Sequence, residues 1–344
     1  MSFFSRKPLV SVVLPSCNHA AYVGAAVRSV LDQTERNLEL IVVDDGSSDT
    51  TPDVVASIHD PRLTLIRVSE NRAIHPRNLA ISHARGKYVA FQNSDSLWEQ
   101  DKLAAQLEVM ESQPGYAACF TGVSFMDADG MPASGTWADQ LLTTENRPAH
   151  TWLRYFFDIG NCLPLPSAMV QRADLVRLGA FRESLVQLSD LDLWIRLATE
   201  GAFFILPEKL TKIRIRENAN PSGPSLRTAR RASIELETIL ERYAQAPILN
   251  QLSFIFPDMP TFASLGANKV ALALYAWSRG GVYALLADRI VAEVLENPDE
   301  RADAVAVHGT VFIHTFLSRR CEYEFIEQRD QSTPKIQTAS YSNR

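Results

Sequence analysis

The sequence predicts an α/β fold, in which a parallel sheet carries helices on both faces and a helical region follows toward the C-terminus. Three observations support this fold class. Over the first hundred residues, short apolar and β-branched runs alternate with segments of helical spacing, as in parallel strands joined by helices. Acidic and polar residues directly follow several of these runs, and helical patterns take over beyond Asn218.

The first strand–helix–strand unit lies within residues 9–43. Residues 9–14 form an apolar run that Pro15 ends, which is typical of a strand buried on both faces. Residues 20–33 carry valines and leucines at helical spacing, and residues 38–43 are the next apolar run. A strand, a helix and a second strand in this order predict a parallel pair.

Two helix–strand pairs follow, predicted as helix 50–58, strand 63–68, helix 76–84 and strand 88–91. Ligands of parallel sheets bind beyond the carboxyl ends of the strands. Because Pro15, the pair Asp44 and Asp45, and residues 93–96 all fall there, we expect three loops to line one crevice. The turn at residues 15–19 contains no glycine, which argues against a dinucleotide-binding oxidoreductase or a methyltransferase.

The later part of the chain is predicted to continue with mixed elements before becoming helical. A helix to about residue 112, strands at 116–125, 166–171 and 203–206, and helices at 173–178 and 191–199 are expected, with helical patterns at 227–245, 266–278 and 281–296. The predicted domains are 1–218, with halves 8–101 and 102–218, then a helical region, 219–327. Residues 328–344 are polar without hydrophobic periodicity and are predicted to be a disordered tail.

Composition excludes several classes of function. A net charge of −6 and a pI near 5.7 argue against nucleic acid as a partner, because polyanions require clustered Lys and Arg. The four cysteines form no CxxC pair, so neither a zinc site nor a disulfide framework is indicated. No apolar run approaches the roughly 18 residues of a membrane span. We therefore expect a cytoplasmic protein, and peripheral docking at the inner face of the membrane and homo-oligomerisation stay open.

Two acid-bearing strand ends are the main candidates for a binding site. Asp44 and Asp45 follow one strand, and the Asn93-Ser94-Asp95-Ser96 stretch follows another. Carboxylates in these positions can accept hydrogen bonds from a base edge or from ribose hydroxyls, or can hold a divalent metal next to a diphosphate. The structural alternatives are helix caps, with Asp49 capping the helix after residue 50 and Asp95 the helix around residues 98–110.

A third acidic motif, at residues 189–192, precedes an apolar helical pattern. Asp190 and Asp192 near a helix N-terminus make sense, from their position alone, as carboxylates that stabilise the helix dipole.

The ordered set of motifs over residues 8 to about 216 resembles family 2 glycosyltransferases, which have the GT-A fold, a Rossmann-like nucleotide-binding sheet. The resemblance lies in residues 10–18, 31–34, 39–50, 77–78 and 86–89, followed by the Asp-Leu-Asp-Leu-Trp stretch at 190–194. It implies an inverting transfer of a sugar from a nucleotide diphosphate, with UDP-sugars the expected donors, to a hydroxyl of a glycan, lipid-linked or protein acceptor.

The resemblance also implies roles for individual residues. Asp190 corresponds to the general base, and Asp95 to the acid that holds Mn²⁺ or Mg²⁺. The nucleotide-binding residues are expected to be Pro15, Ser16, Asn18, Asp44, Asp45, Arg72, Arg77, Asn93 and Ser94.

The chain departs from the family pattern in its metal motif and before its general base. Asn93 and Ser96 stand where the family usually presents carboxylates, and Ser189 replaces a glutamate. Neutral oxygens contribute no charge to hold a cation, so metal affinity is expected to be lower than is usual in the family. These replacements motivate an alternative function, a non-catalytic nucleotide-sugar-binding protein of the same fold.

Overall fold

A computed structural model describes residues 7–68, 75–134, 145–216 and 225–319. The chain divides into two compact units. The first consists of Met1–Ala149 and Asn161–Asn220, and the second of His150–Gly160 and Pro221–Arg344. The segment 150–160, which we expected within the first domain, therefore groups with the helical C-terminal residues.

Four parallel strands form the first half of the sheet and confirm the predicted α/β class. They are β1 (Val10–Ser16), β2 (Leu38–Asp45), β3 (Leu63–Val68) and β4 (Tyr88–Phe91), in the order β3-β2-β1-β4. Strand β1 pairs with β2 from Val10 opposite Leu38, and with β4 from Val10 opposite Tyr88. The register places Ser16 beside Asp44, so the polar residues gather at one edge.

Helices cover both faces of this half-sheet. The helices are α1 (Ala20–Leu31), α2 (Thr51–Ala56), α3 (Pro76–His83) and α4 (Lys102–Ser112). Residues of α1, α2 and α4 form one apolar cluster with Val10, Val12 and Leu14. The alternate residue Val13 is also fully buried, as expected for a strand covered on both sides, and α3 contacts β1 and β2.

The second half of the sheet, for which the sequence predicts strands but no pairing, is mixed. Its strands are β5 (Leu97–Trp98), β6 (Tyr116–Met126), β7 (Pro132–Ala133), β8 (Met169–Gln171) and β9 (Ala202–Arg214). Strand β8 runs antiparallel to both β4 and β6, β9 runs parallel to β6, and β5 pairs antiparallel with β9.

Strand β9 is much longer than the four residues expected at 203–206. It continues past Pro207 because the register with β6 shifts around Gly122. A Cβ at Gly122 would lie 2.7 Å from the Pro207 carbonyl oxygen, so only glycine allows this close approach. The extension ends at Arg214, on the side of the sheet that carries the candidate site.

The remaining helices confirm the predicted helical C-terminal region. The first unit adds α6 (Arg172–Arg177) and α7 (Ser189–Ala198). The second contains α5 (Ala149–Asp158), α8 (Leu226–Leu240), α9 (Ala246–Leu249), α10 (Leu252–Ile255), α11 (Leu265–Trp277), α12 (Gly281–Glu296), α13 (Pro298–His308) and α14 (Val311–Arg319).

An aromatic core holds the second unit together. Phe157 of α5 lies within 5.1 Å, between ring centroids, of Tyr243, Phe256 and Tyr283. The predicted tail at 328–344 lies outside the described residues. Within the described ranges, no helix combines the length and the apolar character that crossing a bilayer requires.

Gly86 fixes the turn that leads into β4. A Cβ at this position would lie 2.6 Å from the backbone nitrogen of Ser11 and 2.9 Å from the carbonyl oxygen of Tyr88. We expect Gly86→Ala to lower the free energy of unfolding by about 1–3 kcal/mol through overpacking, measured by urea denaturation. Gly115→Ala is the matched control, since nothing lies within 4 Å of its added carbon; equal stability of the two variants would contradict the prediction.

Candidate active site

Side-chain hydrogen bonds join the loop after β1 to the loop after β2. Asn18 adopts a left-handed conformation with φ 53°, which asparagine tolerates better than most residues. Its Oδ1 accepts a hydrogen bond of 2.8 Å from the Ser48 N–H, and its own N–H donates to Ser47 Oγ at 2.9 Å. Asp49 accepts hydrogen bonds from the N–H groups of Thr51 and Ala20, so it stabilises the starts of α2 and α1.

Asp44 and Asp45 are adjacent in sequence but differ in their surroundings. Asp44 is buried, and its carboxylate accepts hydrogen bonds from Ser47 Oγ at 2.5 Å and from the Ser47 N–H at 3.3 Å. The Asp45 carboxylate is partly exposed and, among the described residues, receives no hydrogen bond. Burial raises the pKa of Asp45, and the Asp44 charge raises it further. Asp45 is therefore the carboxylate that remains available to a ligand.

Pro15 and Ser16 are the last two residues of β1 and lie at the edge of the site. The strand therefore continues through Pro15, at which the sequence predicts its end. Strand β4 pairs with β1 only as far as Val13, and Gln92 donates to the Val13 carbonyl oxygen. Because the backbone groups of a strand alternate in direction, residue 15 faces the same side as Val13, toward β4. Strand β4 has already ended there, so the N–H that proline lacks would have no strand partner. Ser16 is buried, and its Oγ has no hydrogen-bond partner among the described residues.

The loop after β4 is tied to the loop after β1 through His19. His19 Nδ1 lies 2.6 Å from Ser94 Oγ, and His19 Nε2 lies 3.0 Å from a terminal nitrogen of Arg216. Arginine has only donors, so Nε2 accepts and Nδ1 carries the hydrogen that His19 donates to Ser94. Burial lowers the pKa of His19, and Arg216 lowers it further while Asp95 opposes this effect.

Asp95 is paired with an arginine from the far end of the sheet. Its Oδ2 accepts a hydrogen bond from Arg216 at 3.1 Å, and its backbone carbonyl oxygen accepts one from Arg214 Nε at 3.0 Å. The structural alternative, in which Asp95 caps a helix around residues 98–110, is wrong. Residues 97–98 form strand β5, and the helix begins only at Lys102.

Arg214 and Arg216 are site residues that the sequence analysis did not identify. Both guanidinium carbons lie over the ring of Tyr22, at 4.6 and 5.4 Å from its centroid. Arg214 is buried and also donates to the carbonyl oxygens of Asp127 and Ala128. The alternation of basic with apolar side chains at residues 212–216 is a local signal for a strand, but it gives no indication of the partner of these arginines.

The side chains at Asp95 do not fit a resident Mn²⁺ or Mg²⁺ in their observed arrangement. These cations require several oxygen ligands, preferably charged. The carboxylate of Asp95 is paired with a guanidinium that repels a second cation, and Ser94 Oγ is bonded to His19. Over the described ranges, no three His, Cys, Asp or Glu side chains are grouped so that they could hold a metal ion. No reaction step below is therefore routed through a metal.

Arg77 lies at the start of α3, next to a packed histidine. His75 stacks on Phe181 with ring centroids 5.1 Å apart, and its Nδ1 accepts a hydrogen bond from the Arg77 N–H. Burial lowers the pKa of His75 to about 4, so this ring is neutral at pH 7 and serves as a helix cap. Arg77 Nε has no hydrogen-bond partner among the described residues. Arg72, also predicted to bind nucleotide, lies outside the described residues.

Asp190 occupies the first turn of α7 and is held in place by Asn161. Asn161 Nδ2 donates to Asp190 Oδ2 at 2.8 Å, and the Leu191 N–H donates to Oδ1 at 2.9 Å. Burial raises the pKa of Asp190, although part of the residue reaches solvent, and the Arg77 charge opposes that rise. A partly accessible carboxylate with a raised pKa has the properties of a general base.

Asp192, two residues further along the same helix, has a structural role. It is fully buried and forms a 2.8 Å ion pair with Arg196, which also donates to the carbonyl oxygens of Leu178 and Ala180. The structural and the catalytic interpretations of the acidic motif therefore apply to different residues. Asp192 anchors the helix, and Asp190 remains the residue available for chemistry.

Comparison with known proteins shows what the chain is similar to. Residues 11–170 match the profile of "Glycosyl transferase family 2". TuaG of Bacillus subtilis, a glycosyltransferase named for teichuronic acid biosynthesis, is 45% identical over 129 residues, which cover 37% of this chain and 51% of TuaG. The Escherichia coli UDP-Glc:alpha-D-GlcNAc-diphosphoundecaprenol beta-1,3-glucosyltransferase WfaP is 37% identical over 106 residues, covering 30% of this chain and 42% of WfaP.

The aligned segments thus span about half the length of these curated relatives, or less. Among solved structures, S. aureus TarS 1–349 in complex with UDP-GlcNAc has a TM-score of 0.54 at 17% identity and covers 92% of this chain and 93% of that chain. Mannosyltransferase PcManGT from Pyrobaculum calidifontis, in complex with GDP-Man and Mn²⁺, has a TM-score of 0.50 at 22% identity and covers 92% and 87%. Residues 11–170 therefore match glycosyl transferase family 2, and the chain has the GT-A fold of these solved structures.

Proposed function

We propose that this protein is an inverting glycosyltransferase that moves a sugar from a nucleotide diphosphate, with UDP-sugars the expected donors, to an acceptor hydroxyl. The carboxyl ends of β1, β2 and β4 bind the donor, and Asp190 is the general base. The proposal concerns the whole activity of the chain, including its donor and its acceptor.

The observation that carries the proposal is a set of polar groups with unused hydrogen-bonding capacity at positions expected to bind nucleotide. Ser16 Oγ and Arg77 Nε are buried without a hydrogen-bond partner among the described residues, and the half-buried Asp45 carboxylate accepts no hydrogen bond from those residues. Polar groups that are buried or half-buried without partners cost free energy. A nucleotide supplies both donors and acceptors, so its binding would satisfy these groups together.

The reaction that we infer is a single displacement. The acceptor hydroxyl oxygen bonds to the anomeric carbon while the bond from that carbon to the diphosphate oxygen breaks. The hydroxyl proton passes to Asp190, and the electron pair of the broken bond stays on the departing nucleoside diphosphate. Attack opposite the leaving group inverts the anomeric centre. Asn161 orients the Asp190 carboxylate for this transfer through its 2.8 Å hydrogen bond.

The relatives support a lipid-linked acceptor among the glycan, lipid-linked and protein acceptors that the resemblance leaves open. WfaP is named for a UDP-Glc donor and a diphosphoundecaprenol acceptor, and TarS was solved with UDP-GlcNAc. We therefore propose UDP-glucose and UDP-GlcNAc as the first donors to test, together with polyprenyl-diphosphate-linked sugars as acceptors.

A donor panel distinguishes this function from non-catalytic nucleotide-sugar binding. Full-length protein is incubated with UDP-, GDP- and dTDP-sugars, and binding and slow donor hydrolysis are both measured. Binding with hydrolysis supports the enzyme, and binding without turnover, even with polyprenyl-linked acceptors, favours the non-catalytic alternative. Failure to bind any nucleotide sugar would contradict both functions.

The dependence of the rate on pH is a further prediction from the surroundings of Asp190. Burial raises the pKa of Asp190, while Arg77 and the Asn161 hydrogen bond lower it. A general base must be ionised, so kcat/KM should fall as the pH falls through this pKa. Asn161→Ala removes a hydrogen bond to the charged form, and it should move the acid limb of the kcat/KM profile to higher pH. An unmoved acid limb would argue against Asp190 as the titrating base.

A further inference from the structure

Arg216 pairs with Asp95, the residue to which the family resemblance assigns the metal. Its side chain is 15% exposed, and that of its partner Asp95 is 13% exposed. One terminal nitrogen of Arg216 donates both to Asp95 Oδ2 and to the unprotonated Nε2 of His19, which fixes the guanidinium plane. Tyr22 lies beneath the same group, with the ring centroid 5.4 Å from the guanidinium carbon.

Several donors of this guanidinium have no protein partner among the described residues. Arg216 Nε is buried without a hydrogen bond, and the hydrogen bonds that Arg216 makes come from a single terminal nitrogen. Arginine carries five N–H donors in a planar fork that matches two phosphate oxygens at once. The arrangement therefore leaves part of the fork for an anionic ligand.

The charge of the cluster has the sign that a diphosphate requires. Arg214 lies beside Arg216 over Tyr22, and its hydrogen bonds go to backbone carbonyl oxygens of Asp95, Asp127 and Ala128. Both guanidinium groups carry a positive charge, and among the described residues the one carboxylate that forms an ion pair with either of them is that of Asp95. The same arrangement disfavours a divalent cation, which would have to approach two fixed positive charges.

We propose that Arg216, held by Asp95 and His19 and accompanied by Arg214, takes the place of a divalent metal and binds the diphosphate of the donor. This inference rests on the proposed function. When the bond between the anomeric carbon and the diphosphate oxygen breaks, the electron pair left on that oxygen is stabilised by the Arg216 guanidinium. Donor binding and cleavage then proceed in the absence of divalent metal.

The test compares UDP with uridine as probes of the full-length protein by calorimetry, in EDTA and in Mn²⁺. Wild-type protein should bind UDP in EDTA about as tightly as in Mn²⁺. Arg216→Ala should weaken UDP binding roughly 10- to 100-fold, since a charge-assisted hydrogen bond is lost, while uridine binding stays unchanged. The uridine result also shows that the variant is folded. Arg216→Lys keeps the charge but loses the planar set of donors, so its affinity for UDP should lie between those of the wild type and Arg216→Ala.

The matched control is Arg177→Ala on the surface helix α6, where Arg177 pairs with Asp174 and Glu200; it should leave the binding of both probes unchanged. Asp95→Asn separates the two schemes by the effect of metal on UDP binding. If Arg216 binds the diphosphate, the variant should bind UDP with the same affinity in EDTA and in Mn²⁺, whatever its affinity relative to the wild type. If Asp95 holds a metal, the wild type should bind UDP more tightly in Mn²⁺ than in EDTA, and the variant should lose that difference.

UDP binding that requires Mn²⁺, together with an Arg216→Ala variant that binds UDP normally, would overturn this inference and leave the proposed function standing. Wild-type protein that binds neither UDP nor uridine under either condition would overturn both. Donor hydrolysis should follow binding: we expect it to persist in EDTA, and its complete loss in EDTA with recovery in Mn²⁺ would also overturn the arginine scheme.

Discussion

Replacing Asp190 by asparagine is expected to lower the rate of sugar transfer and of donor hydrolysis by roughly 10²- to 10⁴-fold, the usual contribution of a general base. Asparagine keeps the size of the side chain and still accepts a hydrogen bond from Asn161, but it cannot take the acceptor proton. UDP affinity should be unchanged, because no proton is transferred in binding. The measurements are single-turnover kinetics and calorimetry on the same preparation.

Two controls separate chemistry from structure in this experiment. Glu200→Gln removes a carboxylate just beyond the other end of α7, where Glu200 pairs with Arg177, and it should leave the rate near that of the wild type. Asp192→Asn should instead lower the free energy of unfolding by about 3–5 kcal/mol, because it breaks a buried ion pair. An Asp190→Asn variant that retains full activity would remove Asp190 from the mechanism.

Asp45→Ala is expected to weaken the binding of both uridine and UDP roughly 10- to 100-fold, because a carboxylate that accepts hydrogen bonds from the nucleoside is lost. This pattern differs from that of Arg216→Ala, which should affect UDP alone. Stability should not fall, since burial and then the neighbouring Asp44 charge raise the pKa of Asp45, so the folded protein disfavours the ionised carboxylate that the variant removes. Calorimetry with both probes, together with urea denaturation, measures the two effects.

The control for Asp45 is Asp53→Ala, which removes an exposed carboxylate paired with Arg67 on the protein surface. It should leave both affinities unchanged. Uridine affinity that is the same in Asp45→Ala and in the wild type would exclude Asp45 from the nucleotide site.

The parallel half of the sheet could be predicted from the sequence because its signals are local. Strands β3 and β4 have the bounds that their apolar runs predict, and β1 and β2 are each two residues longer at the carboxyl end. Strands β1, β2 and β4 are buried on both faces, β3 is a half-buried edge strand, and each of the four follows or precedes a helix with regular spacing. The order of the strands follows from the short connections between them.

The mixed half could not be predicted, because its pairing depends on contacts between distant segments. Strand β8 has only three residues, and β9 continues through Pro207, a residue that normally argues against a strand interior. Its continuation is possible only because Gly122 on β6 admits a close backbone approach. Nothing near residue 207 in the sequence indicates this partner.

Some residues of the candidate site could likewise be predicted from local sequence, whereas others depend on contacts between distant segments. Asp45, Ser16 and Asp190 were found from local motifs and from the family resemblance, and their roles stay predictions. The pairing of Asp95 with Arg216 joins residues 121 positions apart, so the depleted acidic motif could be recognised from the sequence but the arginine beside it could not. We therefore propose that the positive charge at the donor diphosphate comes from the Arg216 side chain, where the sequence predicts a divalent metal.

The most direct test of the central claim is proton NMR of donor cleavage by the full-length protein with UDP-α-D-glucose and UDP-α-D-GlcNAc, recorded from the first turnovers. An inverting transferase with water as a poor acceptor should release UDP together with the β-anomer of the free sugar, and the signal should disappear in Asp190→Asn. Initial release of the α-anomer would contradict single displacement. The absence of cleavage for every UDP-, GDP- and dTDP-sugar would contradict the assignment of transferase activity.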